Sequence, residues 1–278
     1  MTTDTKIRDK YVDVDGLKIR YLEEGAGAPV ILLHGASLGS SADVFERNLG
    51  PLAAYGIRPI ACDFPGCGLS DIPADHSMAY RRQFVLNFMD ALGLKSAAII
   101  GHSQAGGNAV DLAFSNPDRI TKVVVLGNGG ILPPLPEGAA GGPAEGREGT
   151  ATEPTIDDTR KLLEANLFHH ELITDEVLAL RHSRSLGKPF EAFVARGQVR
   201  EKKTDGNKVP LSERLDQCPA PLLLIYGAQD RGQAAKRFAI LRERYPTLDA
   251  HLIDGCKHLV PWDAAEAYVK LAGPFLAG

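Results

Sequence analysis

The chain is poor in residues that staple, ligate or anchor. Its 278 residues include four cysteines, three methionines and one tryptophan. Cys62, Cys67, Cys218 and Cys256 are scattered, with no CxxC pair and no zinc-ligand spacing, which argues against a disulfide scaffold or a metal site. Positive charge is not in excess either. The 31 Lys and Arg against 35 Asp and Glu leave a formal charge of −4, whereas a nucleic-acid binder needs a basic stripe or patch. No stretch approaches the ~20 apolar residues of a membrane span. The first ten residues lack the apolar core of a secretory leader. The expectation is a cytoplasmic protein with reduced cysteines, no metal, no cofactor, and neither nucleic acid nor membrane as a partner. A homo-oligomer is compatible with the sequence but has no signature in it.

What is present is ordinary for a folded chain: 44% hydrophobic and 24% charged residues. Short apolar runs at 30–33, 58–62, 97–100, 122–126 and 221–226 read as strands covered on both faces. A hairpin precedes them, with 12–14 and 17–21 flanking Asp15-Gly16. Helical patterns lie between, at 80–92, 104–116, 234–245 and 263–276. Strand–helix alternation of this kind predicts an α/β fold with a mostly parallel central sheet flanked by helices. Residues 132–155 break the rhythm, being dense in Pro, Gly, Ala and Glu, and read as a flexible loop. Helical stretches at 157–169, 174–186 and 189–201 follow, with Thr174 as a helix cap. The expected organisation is a core of 1–132 and 217–278 and a helical lid of 133–216, whose first part, about 133–155, is the Pro/Gly-rich loop.

The strongest chemical signal is Gly101-His102-Ser103-Gln104-Ala105-Gly106, directly after the strand at 97–100. A serine on a sharp strand-to-helix turn is a nucleophile elbow, although Ala105 stands where a second glycine is usual. A serine hydroxyl needs a base, and the base an orienting acid. His258 follows the apolar run at 250–253 and precedes the last helix. Asp230 lies just beyond the strand at 222–226, where parallel sheets carry function. Asp63 also ends a strand, but its turn-forming neighbours favour a structural role. The backbone N–H groups of Gln104 and of Ala36, in His34-Gly35-Ala36, are candidate donors to an oxyanion.

Leu33-His34-Gly35, Asp63-Phe64-Pro65-Gly66-Cys67-Gly68-Leu69-Ser70-Asp71 and Pro117-Asp118-Arg119-Ile120 carry a family resemblance. So do Leu172-Ile173-Thr174-Asp175-Glu176 with Arg181, and Cys256-Lys257-His258-Leu259-Val260-Pro261-Trp262. Nearly the whole chain resembles the α/β-hydrolase superfamily, most of all its meta-cleavage-product (carbon–carbon bond) hydrolase branch. The resemblance implies that fold, a lid inserted before the strand carrying the acid, and a Ser103–Asp230–His258 triad. It also implies Arg181 as the binder of a dienoic acid's carboxylate; a solvated lid arginine is the plain alternative. Ser37, His102, Leu259 and Trp262 complete the substrate-binding candidates. The branch usually has Asn where His102 stands and Trp where Leu259 stands, with Trp262 displaced by three. His102 either replaces that Asn as a donor or packs under the elbow.

Three activities follow. The first is hydrolysis of a C–C bond in a 2-hydroxy-6-oxo-dienoate-type ring-cleavage product. The second is a carboxylesterase or lactonase acting on a small ester, and the third a non-catalytic small-molecule receptor. The substrate is expected to be a small carbonyl compound carrying a carboxylate or an ester.

Overall fold

A strand buried on both faces has to be apolar at every position, and β3 (Ala28–Leu33) obeys that rule. Val30 and Leu32 join one hydrophobic layer, Ile31 and Leu33 the other. The computed structural model describes residues 7–136, 152–199 and 209–278. Within them β3 is central to an eight-stranded sheet ordered β1-β2-β4-β3-β5-β6-β7-β8. The other strands are β1 (Lys10–Val14), β2 (Leu17–Glu23), β4 (Ile57–Cys62), β5 (Ala97–His102), β6 (Ile120–Leu126), β7 (Leu222–Gly227) and β8 (Asp249–Ile253). β1 and β2 pair antiparallel, as does β2 with β4, and all later pairings are parallel. The β1–β2 turn puts Asp15 at φ 53° and Gly16 at φ 81°, the left-handed pair that an Asp-Gly hairpin supplies.

Helices cover both faces. On one side α2 (Met78–Ala91), α3 (Gln104–Ser115) and α7 (Ala234–Arg244) bury Phe84, Phe88, Val110, Phe238 and Leu241. On the other, α1 (Glu46–Ala53) and α9 (Ala265–Ala277) bury Leu49, Leu52, Tyr268 and Leu276. The helix expected over 263–276 is α9, and a short turn, α8 (Val260–Asp263), precedes it. Helix α1 has no counterpart in the sequence reading, because Gly50-Pro51 in its middle reads as punctuation. Among the described residues no helix is long and apolar enough to cross a membrane.

Between β6 and β7 the chain leaves the sheet as a helical insert: α4 (Ile156–Asn166), α5 (Asp175–Ser183) and α6 (Lys188–Gln198). Thr155 and Asp158 form a reciprocal capping box at the start of α4, and Thr174 caps α5 by accepting from Val177 N at 3.3 Å. Of the loop expected at 133–155, residues 137–151 lie outside the described residues. The insert is sewn to the core. Asp263 accepts from the N–H groups of Phe168, His169 and Lys257, and the Leu259 N–H donates to Asn166 O.

Beneath the insert lies a buried ionic cluster. Arg20, 3% exposed, donates to Asp9, Asp43 and Asp63, and Arg184 on the insert reaches Asp43 at 3.0 Å. Asp63 also accepts from the N–H groups of Ala42 and Leu69, which closes the turn after β4. Burial raises the Asp63 carboxyl, and Arg20 only partly offsets it. At Asp43 burial also pushes upward, but Arg20 and Arg184 outweigh it and the net shift is down.

Removing the shared cation should therefore be costly. Arg20→Met strands the buried Asp63, leaves Asp43 to Arg184 alone, and is expected to cost about 3–5 kcal/mol, read as a lower urea midpoint at unchanged slope. Because the folded Asp43 is depressed, its stabilisation is complete above the unfolded value of about 3.9 and fades as pH falls below it. The stability gap between wild type and Asp43→Asn should shrink between neutral pH and about pH 3; a constant gap would contradict this.

Candidate active site

Ser103 follows β5 and opens α3 with φ 56° and ψ −129°, one of three non-glycine residues with positive φ among those described. Its N–H donates to Leu126 O at 2.8 Å, which ties the turn to β6. The turn survives because its neighbours lack side chains. A Cβ on Gly101 would lie 2.5 Å from Ala105 O, and one on Gly106 2.7 Å from Val125 Cγ1. Ala105, at the position where the motif departs from the usual pattern, is buried without conflict. The steric demand falls on 101 and 106 instead.

The structure brings Ser103, His258 and Asp230 together from the ends of three strands. Asp230 Oδ2 accepts from His258 Nδ1–H at 2.9 Å, which leaves Nε2 to accept the Ser103 hydroxyl proton, also at 2.9 Å. His258 is 8% exposed. Asp230 Oδ1 accepts from the Arg231 N–H. A second tie fixes the two loops: Gln229 N donates to Cys256 O and Gln229 Oε1 accepts from Cys256 N, both at 3.0 Å. Gln229 went unnoticed in the sequence, where its only mark is adjacency to Asp230.

Gly35 runs past the serine so closely that a Cβ there would sit 3.0 Å from Ser103 Cβ. Its loop is held rigidly. His34 donates from Nδ1 to Gly35 O at 2.8 Å and accepts the Phe64 N–H on Nε2, and complete burial keeps it neutral. The N–H groups of Ala36 and Gln104 have no acceptor among the described residues, as donors reserved for a ligand oxygen would.

His102 donates from Nε2 to His258 O at 2.8 Å. Burial, with the neighbouring His258 adding to it, pushes its pKa down to about 3, so the ring is neutral and its one proton is committed. Its Nδ1 is buried without a partner among the described residues and is an acceptor only. The donor function of an Asn at this place is therefore not reproduced.

Arg181, on α5, is 7% exposed and donates to the hydroxyls of Ser37 at 2.8 Å and Ser40 at 3.2 Å. It has no carboxylate partner among the described residues, its Nε is unpartnered, and burial lowers it to about 10. Ser40 and Arg196 escaped the sequence reading; the latter donates from α6 to Ala36 O at 2.8 Å. Leu259 is buried beside His258. Trp262 turns away, donating to Val44 O at 2.8 Å with Arg47 over its ring. It lines, with Gly39, Asp43 and Arg181, an open cavity of about 850 Å³ whose wall includes neither Ser103 nor His258.

Fold and geometry together define a serine-hydrolase-like centre at the carboxyl edge of a parallel sheet. Residues 30–271 match the alpha/beta hydrolase family, and the chain belongs to it. It is 30% identical to the 2-hydroxy-6-oxononadienedioate/2-hydroxy-6-oxononatrienedioate hydrolase 1 of Dechloromonas aromatica, over 97% of this chain and 94% of that one. It is also 30% identical to the 2-hydroxy-6-oxo-6-phenylhexa-2,4-dienoate hydrolase of Burkholderia cepacia, over 95% and 93%. The solved meta-cleavage product hydrolase of Pseudomonas fluorescens IP01 superposes with a TM-score of 0.75 at 26% identity, covering 98% of each chain.

The clearance argument can be tested directly. Gly101→Ala must displace the α3 backbone and is expected to cost about 2 kcal/mol or more. Ala105→Gly should cost no more than about 1 kcal/mol, the helical penalty for glycine alone. Equal costs in thermal denaturation would refute the assignment.

Proposed function

We propose that the protein hydrolyses a C–C bond in a 2-hydroxy-6-oxo-dienoate-type ring-cleavage product, with Ser103, His258 and Asp230 as its triad. The observation that carries this reading is Arg181: a buried guanidinium on α5 that donates to the loop bordering Ser103 and forms no ion pair among the described residues, Asp43 acting on it only from a distance. A buried cation without a counter-ion is costly, and a substrate carboxylate taking the place of the Ser37 and Ser40 hydroxyls offsets that cost bidentately. The names of the relatives from D. aromatica and B. cepacia describe such carboxylates.

In this mechanism the dienol first tautomerises to the ketone. Ser103 Oγ then bonds to the distal carbonyl carbon, or His258 activates a water to do so, and the proton passes to His258 Nε2. The Ala36 and Gln104 N–H groups hold the oxyanion. As the carbonyl re-forms, the adjacent C–C bond breaks, and its electron pair, delocalised into the 2-oxo acid, takes the proton back from His258. On the serine path, water releases the acyl group from Ser103. Leu259 forms an apolar wall of the site.

The insert between β6 and β7 supports a division into a core of 1–132 and 217–278 and a lid of 133–216, because Arg181 and Arg196 on it both reach the loop beside Ser103. Four free cysteines support a reducing, cytoplasmic setting. A carboxylesterase or lactonase remains the second reading, favoured by His102, whose committed proton removes a donor to the dienoate.

The experiment is a paired assay of a 2-hydroxy-6-oxo-hexa-2,4-dienoate and a short p-nitrophenyl ester, with Ser103→Ala as the blank. A kcat/KM for the dienoate about a hundredfold above that for the ester, worth about 2.7 kcal/mol, supports C–C hydrolysis. Turnover of the ester alone overturns it. Arg181→Met should raise KM for the dienoate by about tenfold to a hundredfold and leave that for the neutral ester nearly unchanged.

A further inference from the structure

Two more guanidinium groups meet near the oxyanion loop with no carboxylate between them. Arg81, early in α2, is 6% exposed, and its Nε and Nη1 have no acceptor among the described residues. Its charge lies 4.1 Å from the centroid of the Phe64 ring, which supports the face of the guanidinium but leaves its N–H edge unsatisfied. Arg196, on α6, spends Nη2 on Ala36 O and lies 3.8 Å from Cys67 Sγ through Nη1. Neither arginine forms an ion pair among the described residues. Burial pushes Arg81 down to about 10, and the Arg196 charge works in the same direction.

Both line one small cavity, together with Tyr80, His76 and Asp75. Asp75 is exposed, accepts the Ser77 N–H on Oδ1, and pairs with neither guanidinium. The cavity volume, about 10 Å³, admits one small species.

We propose that this cavity between α2 and α6 binds a halide-sized monovalent anion, chloride under physiological conditions, held by Arg81 and Arg196. So small a space favours a monatomic anion over a carboxylate or phosphate. A water there would satisfy a donor but leave two positive charges on one small cavity, one of them buried. Bound chloride bridges a core helix to an insert helix and steadies the arginine that holds the Ala36 carbonyl. The site is independent of the identity of the substrate.

The test is thermal denaturation of wild type and Arg81→Met in sodium chloride and in sodium gluconate at equal ionic strength, with crystals grown in sodium bromide as a direct readout. Wild type should melt about 3 °C higher in saturating chloride than in gluconate. Arg81→Met should lose that difference and, in gluconate, melt at or above wild type, because a buried unpaired charge has been removed. Bromide should give an anomalous peak between the two guanidinium groups. Identical melting of wild type in the two salts, or water without an anomalous peak, overturns the proposal. Should Arg81→Met fail to fold, the wild-type salt comparison and the bromide crystals still decide it.

Discussion

The backbone of Ser103 sits where a residue with a side chain pays about 1–3 kcal/mol in strain, and the rest of the site is arranged so that this conformation persists. The strand before it is central and fully buried, so it cannot shift to relieve the turn. The helix after it packs onto the same strand through positions 101 and 106, where only hydrogen fits. In return the hydroxyl is presented to His258 at the end of the sheet, and the first free N–H of α3 lies next to it.

Much of this was legible because it is local. Asp230 and His258 each follow an apolar run within a few residues, and the serine stands between a strand and a helix, so sequence order alone orders the loops along the sheet edge. The contacts that tune the site are not local. Arg184 meets Asp43 across 141 positions and Arg196 meets Ala36 across 160, and no short pattern announces such pairs. The two readings of His102 differ only in what its ring nitrogens touch, and that partner, the His258 carbonyl, lies 156 residues away. The indole N–H of Trp262 likewise meets the Val44 carbonyl 218 positions away, a contact with no mark in the sequence.

A division of labour runs through the charges. Ser103, Asp230 and His258, with His34 and His102, come from the core and are largely shielded from solvent. The cations near them come mainly from the insert. Arg181 and Arg184, one turn apart on α5 and at its end, and Arg196 on α6 take hold of the segment from Ala36 to Asp43 at four points: two hydroxyls, a carboxylate and a carbonyl. That segment carries the candidate oxyanion donor. The loop beside Ser103 is thus clamped by side chains that belong to a different stretch of chain.

The seam along which the insert is sewn to the core sets the terms on which one could be exchanged for another. Asp263 receives three backbone N–H groups, two of them from the insert, and the peptide next to His258 spends its own N–H on Asn166. A foreign insert would arrive with its own arginines and so its own grip on the loop from Ala36 to Asp43. Unless it also brought a carbonyl for Leu259 and a pair of N–H groups for Asp263, the imidazole would lose its footing. The insert is a detachable cassette with a fixed plug.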